Sequence, residues 1–226
     1  MIVLGPLGDR AFLARFATDA EAAAWAGTLE ALRIPGVIEV ALAYATVAVF
    51  ADPDRLDLDA LQARLRALEA TGPDRPTGRS LTIPVLYDGE DLADVAGATG
   101  LSIPDVIEIH TSVPYRVFAV GFQPGFPYLG YLPPPLDTLP RRPEPRLRVP
   151  AGSVAIAARQ TGIYPTDSPG GWHLLGRTPL RIVDLPTARF PIRAGDSIRF
   201  EAIDEGEFRR RGGEPLAGPI GTAGRP

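Results

Sequence analysis

Glycine and proline crowd the middle of this chain, and that crowding sets the tightest limit on what it can fold into. Between residues 121 and 179 they recur beside aromatic and polar side chains in three clusters. These are G-F-Q-P-G-F-P-Y-L-G at 121–130, V-P-A-G-S-V-A-I-A at 149–157 and Q-T-G-I-Y-P-T-D-S-P-G-G-W-H at 160–173. Glycine permits tight turns and close approach, while proline fixes the backbone and removes a donor. The clusters are too dense for an ordinary linker. With Tyr and Trp held beside such residues, the stretch reads as one rigid surface.

From Tyr115 onwards, short apolar runs alternate with turn formers. Residues 116–120, 154–158, 180–183 and 197–200 are the clearest strands. Many short strands between Gly/Pro turns favour a closed or nearly closed β-barrel over an open sheet flanked by helices. Two helical segments, 90–98 and 102–110, lead into it around Gly100. Ser102 and Asp105 have capping-box spacing, and Pro104 is tolerated in a first turn.

The preceding part reads as a compact α+β unit. Residues 2–4 and 11–16 are strand material around a turn at 5–9. Thr18 and Glu21 form a capping-box pair before an apolar stripe of Ala22, Trp25, Leu29 and Leu32, which Pro35 and Gly36 stop. Residues 37–42 and 46–50 follow as adjacent strands. Leu58, Leu61, Leu65 and Leu68 mark a second amphipathic helix ending near Gly72 and Pro73. Strand, helix, two strands, helix and a strand near Leu81 is the order of a ferredoxin-like sandwich. Residues 81–87 fit either domain and are expected to connect the two.

The predicted organisation is an α+β ferredoxin-like domain at 1–80, a mainly-β barrel with a short helical lead-in at 81–210, and a flexible tail at 211–226. The boundary rests on T-G-P-D-R-P-T-G at 71–78, which offers a core little and a turn much.

Composition narrows the chemistry. The 226 residues contain no Cys, which removes disulfides, cysteine nucleophiles and thiolate metal sites. All 23 basic side chains are Arg, so Schiff-base chemistry and the Lys of a phosphate-binding loop are absent. No apolar run reaches the roughly 18 residues of a membrane helix, and the start lacks a basic-then-apolar signal pattern. A cytoplasmic protein without membrane association is expected. Net charge is −4, which disfavours nucleic acid. Residues 88–109 resemble a DNA-binding helix-turn-helix only superficially. They carry Asp88, Glu90, Asp91, Asp94, Asp105 and Glu108 and no Arg, the wrong sign for phosphate.

Two histidines, His110 and His173, stand alone, without a second His or a Cys at metal-ligand spacing. Ser112, Ser153 and Ser168 supply components of a Ser-His-Asp site but no nucleophile-elbow pattern. His110 either bonds a carbonyl at a helix end or carries a proton. His173 alternates with Trp172, so one of them faces a groove and the other solvent. The structural reading is preferred for both. Pro124 and Gly125 shape a turn that presents Phe122, Gln123, Phe126 and Tyr128, and Pro169, Gly170 and Gly171 turn the chain before Trp172. Packing of barrel ends competes with a pocket, for which Gln123, Gln160, Tyr164, Asp167 and Ser168 offer polar partners. Arg141, Arg142, Arg146 and Arg148, opposed locally only by Glu144, form either a solvated loop or an anion site.

These residues resemble the KipI/PxpB family, also called the allophanate hydrolase subunit 1 family. The matching blocks are I-H-T-S-V-P-Y-R-V from Ile109, G-F-Q-P-G-F-P-Y-L-G from Gly121, P-R-L-R-V-P-A-G-S-V-A-I-A from Pro145 and Q-T-G-I-Y-P-T-D-S-P-G-G-W-H-L-L-G-R-T-P from Gln160. The resemblance implies an N-terminal α+β domain and a cyclophilin-like barrel, without implying prolyl isomerase activity. It also implies a KipA/PxpC-like partner and a PxpA (LamB/YcsF-like) protein. Together such proteins convert 5-oxo-L-proline to L-glutamate, with ATP as co-substrate and no tightly bound cofactor. The alternatives are a KipI-like inhibitor of a sensor histidine kinase and a carboxyltransferase component of a urea-carboxylase-like system. No biotin-acceptor or ATP-grasp segment is present, which favours the first assignment, and no partner domain is expected within this length.

On that resemblance, the catalytic candidates are His110 for proton transfer, Arg148 for a carboxylate or phosphorylated oxygen, and Gln160. Gln123, Gln160, Tyr164 and the amides of the Pro169-Gly170-Gly171 stretch are candidates to orient the carbonyl. Phe126 and Trp172 would supply apolar walls. Pro124, Gly125 and Ser168 complete the expected substrate-binding set, and no metal is expected.

Overall fold

The structure, a computed structural model, describes residues 2–69 and 78–217. Two units divide it, Met1–Gly78 and Arg79–Pro226.

The first unit runs β1 (Val3–Pro6), β2 (Ala11–Arg15), α1 (Asp19–Ala31), β3 (Val37–Ala43), β4 (Thr46–Ala51) and α2 (Leu58–Ala67). Thr18 caps α1, its hydroxyl accepting from the Glu21 amide at 3.2 Å, while the Glu21 carboxylate accepts from Ala17 rather than from Thr18 itself. Asp57 caps α2 by accepting from the amides of Asp59 and Ala60. Trp25 and Leu29 of α1 and Leu61 and Leu65 of α2 bury against Ala14, Val47 and Val49 of the sheet. Leu32, expected on this stripe, is an exposed cap residue. The expected end of the second helix near Gly72 and Pro73 lies outside the described residues.

The sheet is antiparallel with order β1-β2-β4-β3. That is the ferredoxin-like arrangement with one substitution. The place expected for the strand near Leu81, beside β2, is taken by β1 from the start of the chain. Leu81 itself belongs to the second unit.

There, β5 (Ser80–Val85) pairs in parallel with β13 (Ser197–Ala202). Ile83 and Val85 of β5 are wholly buried in the second core, which explains why this strand joins the barrel. Between them in sequence come α3 (Leu92–Thr99), α4 (Ile103–Ser112), β6 (Tyr115–Val120), β7 (Pro127–Gly130), β8 (Arg146–Val149), β9 (Ser153–Ala157), β10 (Gln160–Ile163), β11 (Ser168–Gly170) and β12 (His173–Arg177). A short α5 (Glu205–Arg210), capped by Asp204, follows β13. The complete capping box of Ser102 and Asp105 begins α4.

Seven strands form one sheet in the order β12-β9-β10-β7-β6-β13-β5. Its two ends meet. Leu86, just past β5, and Arg177 of β12 exchange backbone hydrogen bonds of 2.9 Å each way, making a nearly closed barrel. Strands β8 and β11 form a separate two-stranded flap. Residues 180–183, expected as a strand, are not one. Leu180, Ile182 and Val183 are buried as an irregular segment, with Arg181 and Asp184 bonded to the backbone of Glu214 and Arg189.

Both edges of the barrel unit differ from the expected boundaries. Arg79, assigned to the first domain on sequence, is bound to Asp196 by its amide at 3.0 Å and its guanidinium at 2.8 Å. Residues 213–216, expected in the flexible tail, bond along Pro179–Arg181, and Leu216 is buried. Residues 218–226 of that tail lie outside the described residues. Among the described residues no helix is long and apolar enough to cross a membrane.

Candidate functional site

Successive side chains of a strand point to opposite faces of its sheet, and β10 shows what this does here. Thr161 turns inward to the main barrel core, whereas Gly162 and Tyr164 turn outward to a second apolar cluster. That outer cluster contains Phe126, Val149, Ala155, Ala157, Tyr164, Trp172 and Leu174. Its aromatic members meet edge to face, Phe126 at 5.0 Å from Tyr128, 5.1 Å from Tyr164 and 5.5 Å from Trp172. Gly162 makes this possible. A Cβ there would stand 2.9 Å from Phe126 Cζ and 3.0 Å from Trp172 Cζ3.

Above the aromatic floor lies a pocket of about 300 Å³. Phe122, Phe126, Tyr128, Tyr164 and Trp172 line it, together with Arg141, Pro145, Pro169, Gly170 and Gly171. Gly170 packs so closely on the Tyr164 ring that any Cβ would collide with the hydroxyl. Burial pushes the pKa of Tyr164 up, against the opposing effects of a hydrogen bond from the Trp172 amide and of the Arg141 charge. Tyr128 is likewise raised by burial and eased downward by Arg141. Both hydroxyls therefore stay protonated at neutral pH, and that of Tyr164, already accepting from Trp172, keeps its proton to donate.

Six of the expected substrate-binding residues, Phe126, Tyr164, Pro169, Gly170, Gly171 and Trp172, line this pocket. Gln123 stands behind it as a tie between loops. Its amide nitrogen donates to Ser168 Oγ at 3.2 Å, and its oxygen accepts from Thr166 Oγ1 at 2.7 Å. Pro124 and Gly125 form the turn before Phe126, with Gly125 at φ +83° and its α-carbon packed against Val183. Gln160 opens β10 on the same outward face as Gly162 and Tyr164 by alternation, but outside the lining.

The two remaining catalytic candidates are elsewhere. Arg148 lies outside the lining and holds Asp167 Oδ2 through Nε at 2.8 Å and Nη2 at 2.6 Å. The Ala151 amide and Arg148 keep Asp167 below the ordinary carboxylate range. His110 is fully buried on the inward side of the sheet, stacked on Phe200 at 4.6 Å. Thr161 Oγ1 donates its one proton to the Ala155 carbonyl, so it accepts from His110 Nε2 at 2.9 Å. Nδ1 then accepts from the Tyr87 hydroxyl at 2.7 Å. Desolvation carries the His110 pKa down to about 3, leaving a neutral ring with both nitrogens satisfied. His173 is outside the lining to which Trp172 belongs, its Nε2 donating to the Pro140 carbonyl at 2.9 Å. Since Trp172 precedes β12 and His173 Nδ1 is buried, simple alternation between groove and solvent does not describe the pair.

The arginine run is sorted by a residue that sequence reasoning missed. Asp91, only 2% exposed, accepts from Arg142 Nη1 at 2.6 Å and Arg146 Nη2 at 2.8 Å on one oxygen. Its other oxygen accepts from the Leu174 amide at 2.7 Å. Burial opposes ionisation of Asp91, but these bonds and charges prevail and hold its carboxyl below the usual range. Arg146 also reaches Glu90. Among the described residues Arg141 makes no ion pair. No local pattern could have chosen Asp91, which is some fifty positions from its partners. Arg141 was visible in the run, though nothing distinguished it from its neighbours. Among the described residues no group of three or more His, Cys, Asp or Glu is placed to hold a metal ion.

Comparison with known proteins places these features in a wider set. A family model described as carboxyltransferase domain, subdomain C and D, matches residues 2–191. A B-type subunit of 5-oxoprolinase from Escherichia coli O157:H7 is 48% identical over 179 residues, covering 76% of this chain and 81% of the relative. The B-type subunit of 5-oxoprolinase from Bacillus subtilis strain 168 is 36% identical over 225 residues, covering 89% of this chain and 93% of the relative. Among solved structures, TTHA0988 superposes with a TM-score of 0.75 and 42% identity over 86% of this chain. This chain spans only 40% of that longer one.

Proposed function

Because the chain belongs to the carboxyltransferase subdomain C and D family, we propose that it is the B-type subunit of an ATP-dependent 5-oxoprolinase. The observation that carries this reading is similarity along most of the chain to two proteins named for that subunit. The reaction opens the lactam of 5-oxo-L-proline to L-glutamate. One water adds across the ring C–N bond, the carbonyl carbon takes the hydroxyl, and the nitrogen leaves as the amine. A lactam carbonyl is a poor electrophile, so the step is coupled to hydrolysis of ATP, the co-substrate, to ADP and phosphate.

In this reading the subunit works with a KipA/PxpC-like subunit and a PxpA (LamB/YcsF-like) subunit. The outward pocket is its contribution. Phe126, Tyr128 and Trp172 enclose the apolar part of the bound molecule. The Tyr164 hydroxyl and the Gly170 and Gly171 amides are donors for its carbonyl oxygen, the kind of pre-set dipoles that favour developing negative charge. Gln123 and Ser168 act as positioning residues by tying the loops that carry Phe126 and Gly170. Gln160 extends the polar side of the same face. His110 serves by holding α4 to the barrel, because its ring is neutral and engaged at both nitrogens. Arg148 would have to release Asp167 before it could hold a ligand.

The test is reconstitution. This chain, its two partners and the full mixture are each incubated with 5-oxo-L-proline and ATP, and L-glutamate and ADP are quantified. Glutamate formed only in the full mixture, and lost when this chain is omitted, is the expected result. No glutamate from verified, folded partners would sink the assignment. The family's description favours a second reading, a carboxyltransferase component. It would show itself as carboxyl transfer from a carboxylated biotin donor in the presence of this chain.

A further inference from the structure

Within the oxoprolinase reading, we infer that the outward pocket of this chain, without its partners, binds a compact ring-bearing monocarboxylate, and that Arg141 is the group that holds the carboxylate. Three observations converge. The first is charge. Of the four arginines at 141–148, Arg142 and Arg146 are engaged by Asp91 and Glu90, and Arg148 by Asp167. Arg141 alone lines the pocket, with no ion pair among the described residues. It is held at the rim because the next residue, Arg142, donates its amide to the Gly171 carbonyl at 2.8 Å. The strip carrying the cation is thereby fastened to the glycine stretch that lines the pocket.

The second observation is shape. A pocket of about 300 Å³ lies at the small end of ligand sites, so it suits one small ring. The third is the lining. Tyr128 and Trp172, with centroids 5.9 Å apart, and Phe126 packed edge to face against both offer apolar surface to a flat ring. A bare inorganic anion would use Arg141 and leave these walls wet. A neutral lactam would use the walls and leave the guanidinium unpaired. Only a ring carrying one carboxylate engages both, through charge-assisted hydrogen bonds on one side and apolar burial on the other.

The experiment uses the isolated full-length chain and isothermal calorimetry. The probes are 5-oxo-L-proline, cyclopentanecarboxylate, 2-pyrrolidinone and inorganic phosphate. Both carboxylates should bind, with 2-pyrrolidinone and phosphate at least about tenfold weaker. Arg141→Gln should weaken the carboxylates about 10- to 100-fold, the range for one charge-assisted contact. Because Arg141 is exposed, this variant should keep the wild-type circular dichroism, which checks folding. Equal binding of 2-pyrrolidinone, full retention of affinity in Arg141→Gln, or a loss confined to Arg148→Gln would each overturn the inference. So would absence of binding by either carboxylate. Glutamate formation by the full mixture without such binding would leave the subunit assignment standing and remove this site. Binding without turnover would do the reverse.

Discussion

Thr161 and Gly162, adjacent in β10, stand on opposite sides of one sheet: Thr161 accepts from His110 within the barrel, and Gly162 gives its missing side-chain space to Phe126 and Trp172 outside it. One strand thus separates a buried neutral histidine from a solvent-facing aromatic pocket. Chain neighbours with matching chemical appeal are assigned to different tasks by strand alternation alone.

The inward side yields a pH prediction. The unfolded chain protonates His110 near 6.5, while the folded chain does so only at about 3. Its contribution to stability is therefore complete above the unfolded value and is lost as pH falls through that window. The slope approaches about 1.4 kcal/mol per pH unit. Asp91, Asp105 and Asp167, all held below the ordinary carboxylate range, add their own losses below about pH 4. Urea unfolding between about pH 4 and 6.5 should then show stability falling with pH, and falling less steeply in His110→Gln. That variant should also cost about 1–3 kcal/mol at neutral pH through imperfect replacement of two buried hydrogen bonds. Parallel pH profiles would rule out His110 as the titrating group.

The outward side yields a packing prediction. Gly162→Val places a side chain within 3.0 Å of Phe126, Pro127 and Trp172 atoms, so the aromatic floor must shift. Overpacking of this kind costs about 1–3 kcal/mol. Thermal unfolding should show the loss, and affinity for 5-oxo-L-proline should fall with it. Gly170→Ala displaces Tyr164 instead, and should reduce glutamate formation in the reconstituted mixture more than it reduces stability. Wild-type turnover in both variants would detach the pocket from the reaction.

Asp91 is the hub of the pocket's outer wall. Asp91→Ala strands Arg142 and leaves Arg146 with Glu90 as its one acidic partner, the two arginine side chains being 29% and 18% exposed. Because the arginines keep some water, the expected cost is about 2–4 kcal/mol rather than the full penalty of a sealed ion pair. Limited trypsin digestion should cut faster at Arg146 in the variant, the bond after Arg142 being protected by Pro143. A change below about 0.5 kcal/mol, with unaltered cleavage, would show that the hub carries no weight.

Barrel closure can be read by hydrogen exchange. Leu86 and Arg177 bond each other across the seam, so their amides should exchange as slowly as those of β9 and β10. Exchange at the rate of an open sheet edge would mean that the seam parts in solution.

Much of this architecture was legible along the chain. The caps at Thr18 and Ser102, the stripe of Trp25 and Leu29, and the barrel strands around 116–120 and 154–157 follow from local propensity and period. The glycine clusters marked where backbone and aromatic rings approach closely, which is why six of the expected binding residues share one pocket. The strand near Leu81 was legible as a strand, yet its sheet was not, since an apolar run states only that it will be buried. In the same way Leu180, Ile182 and Val183 are apolar because they fill the barrel core, and burial alone does not require a strand.

Element types, turns and the aromatic content of the site are written in short-range pattern, because capping, periodicity and glycine tolerance act within a few residues. Which arginine stays unpaired depends on pairs spanning 19 residues for Arg148, 51 for Arg142 and 55 for Arg146, and the side of the sheet on which His110 lies depends on a contact spanning 51. Asp91 meets Arg142 and Arg146, and Thr161 meets His110, only in the packed barrel. Ion pairing and desolvation depend on distance in space, and a linear sequence leaves that distance open until the chain has packed.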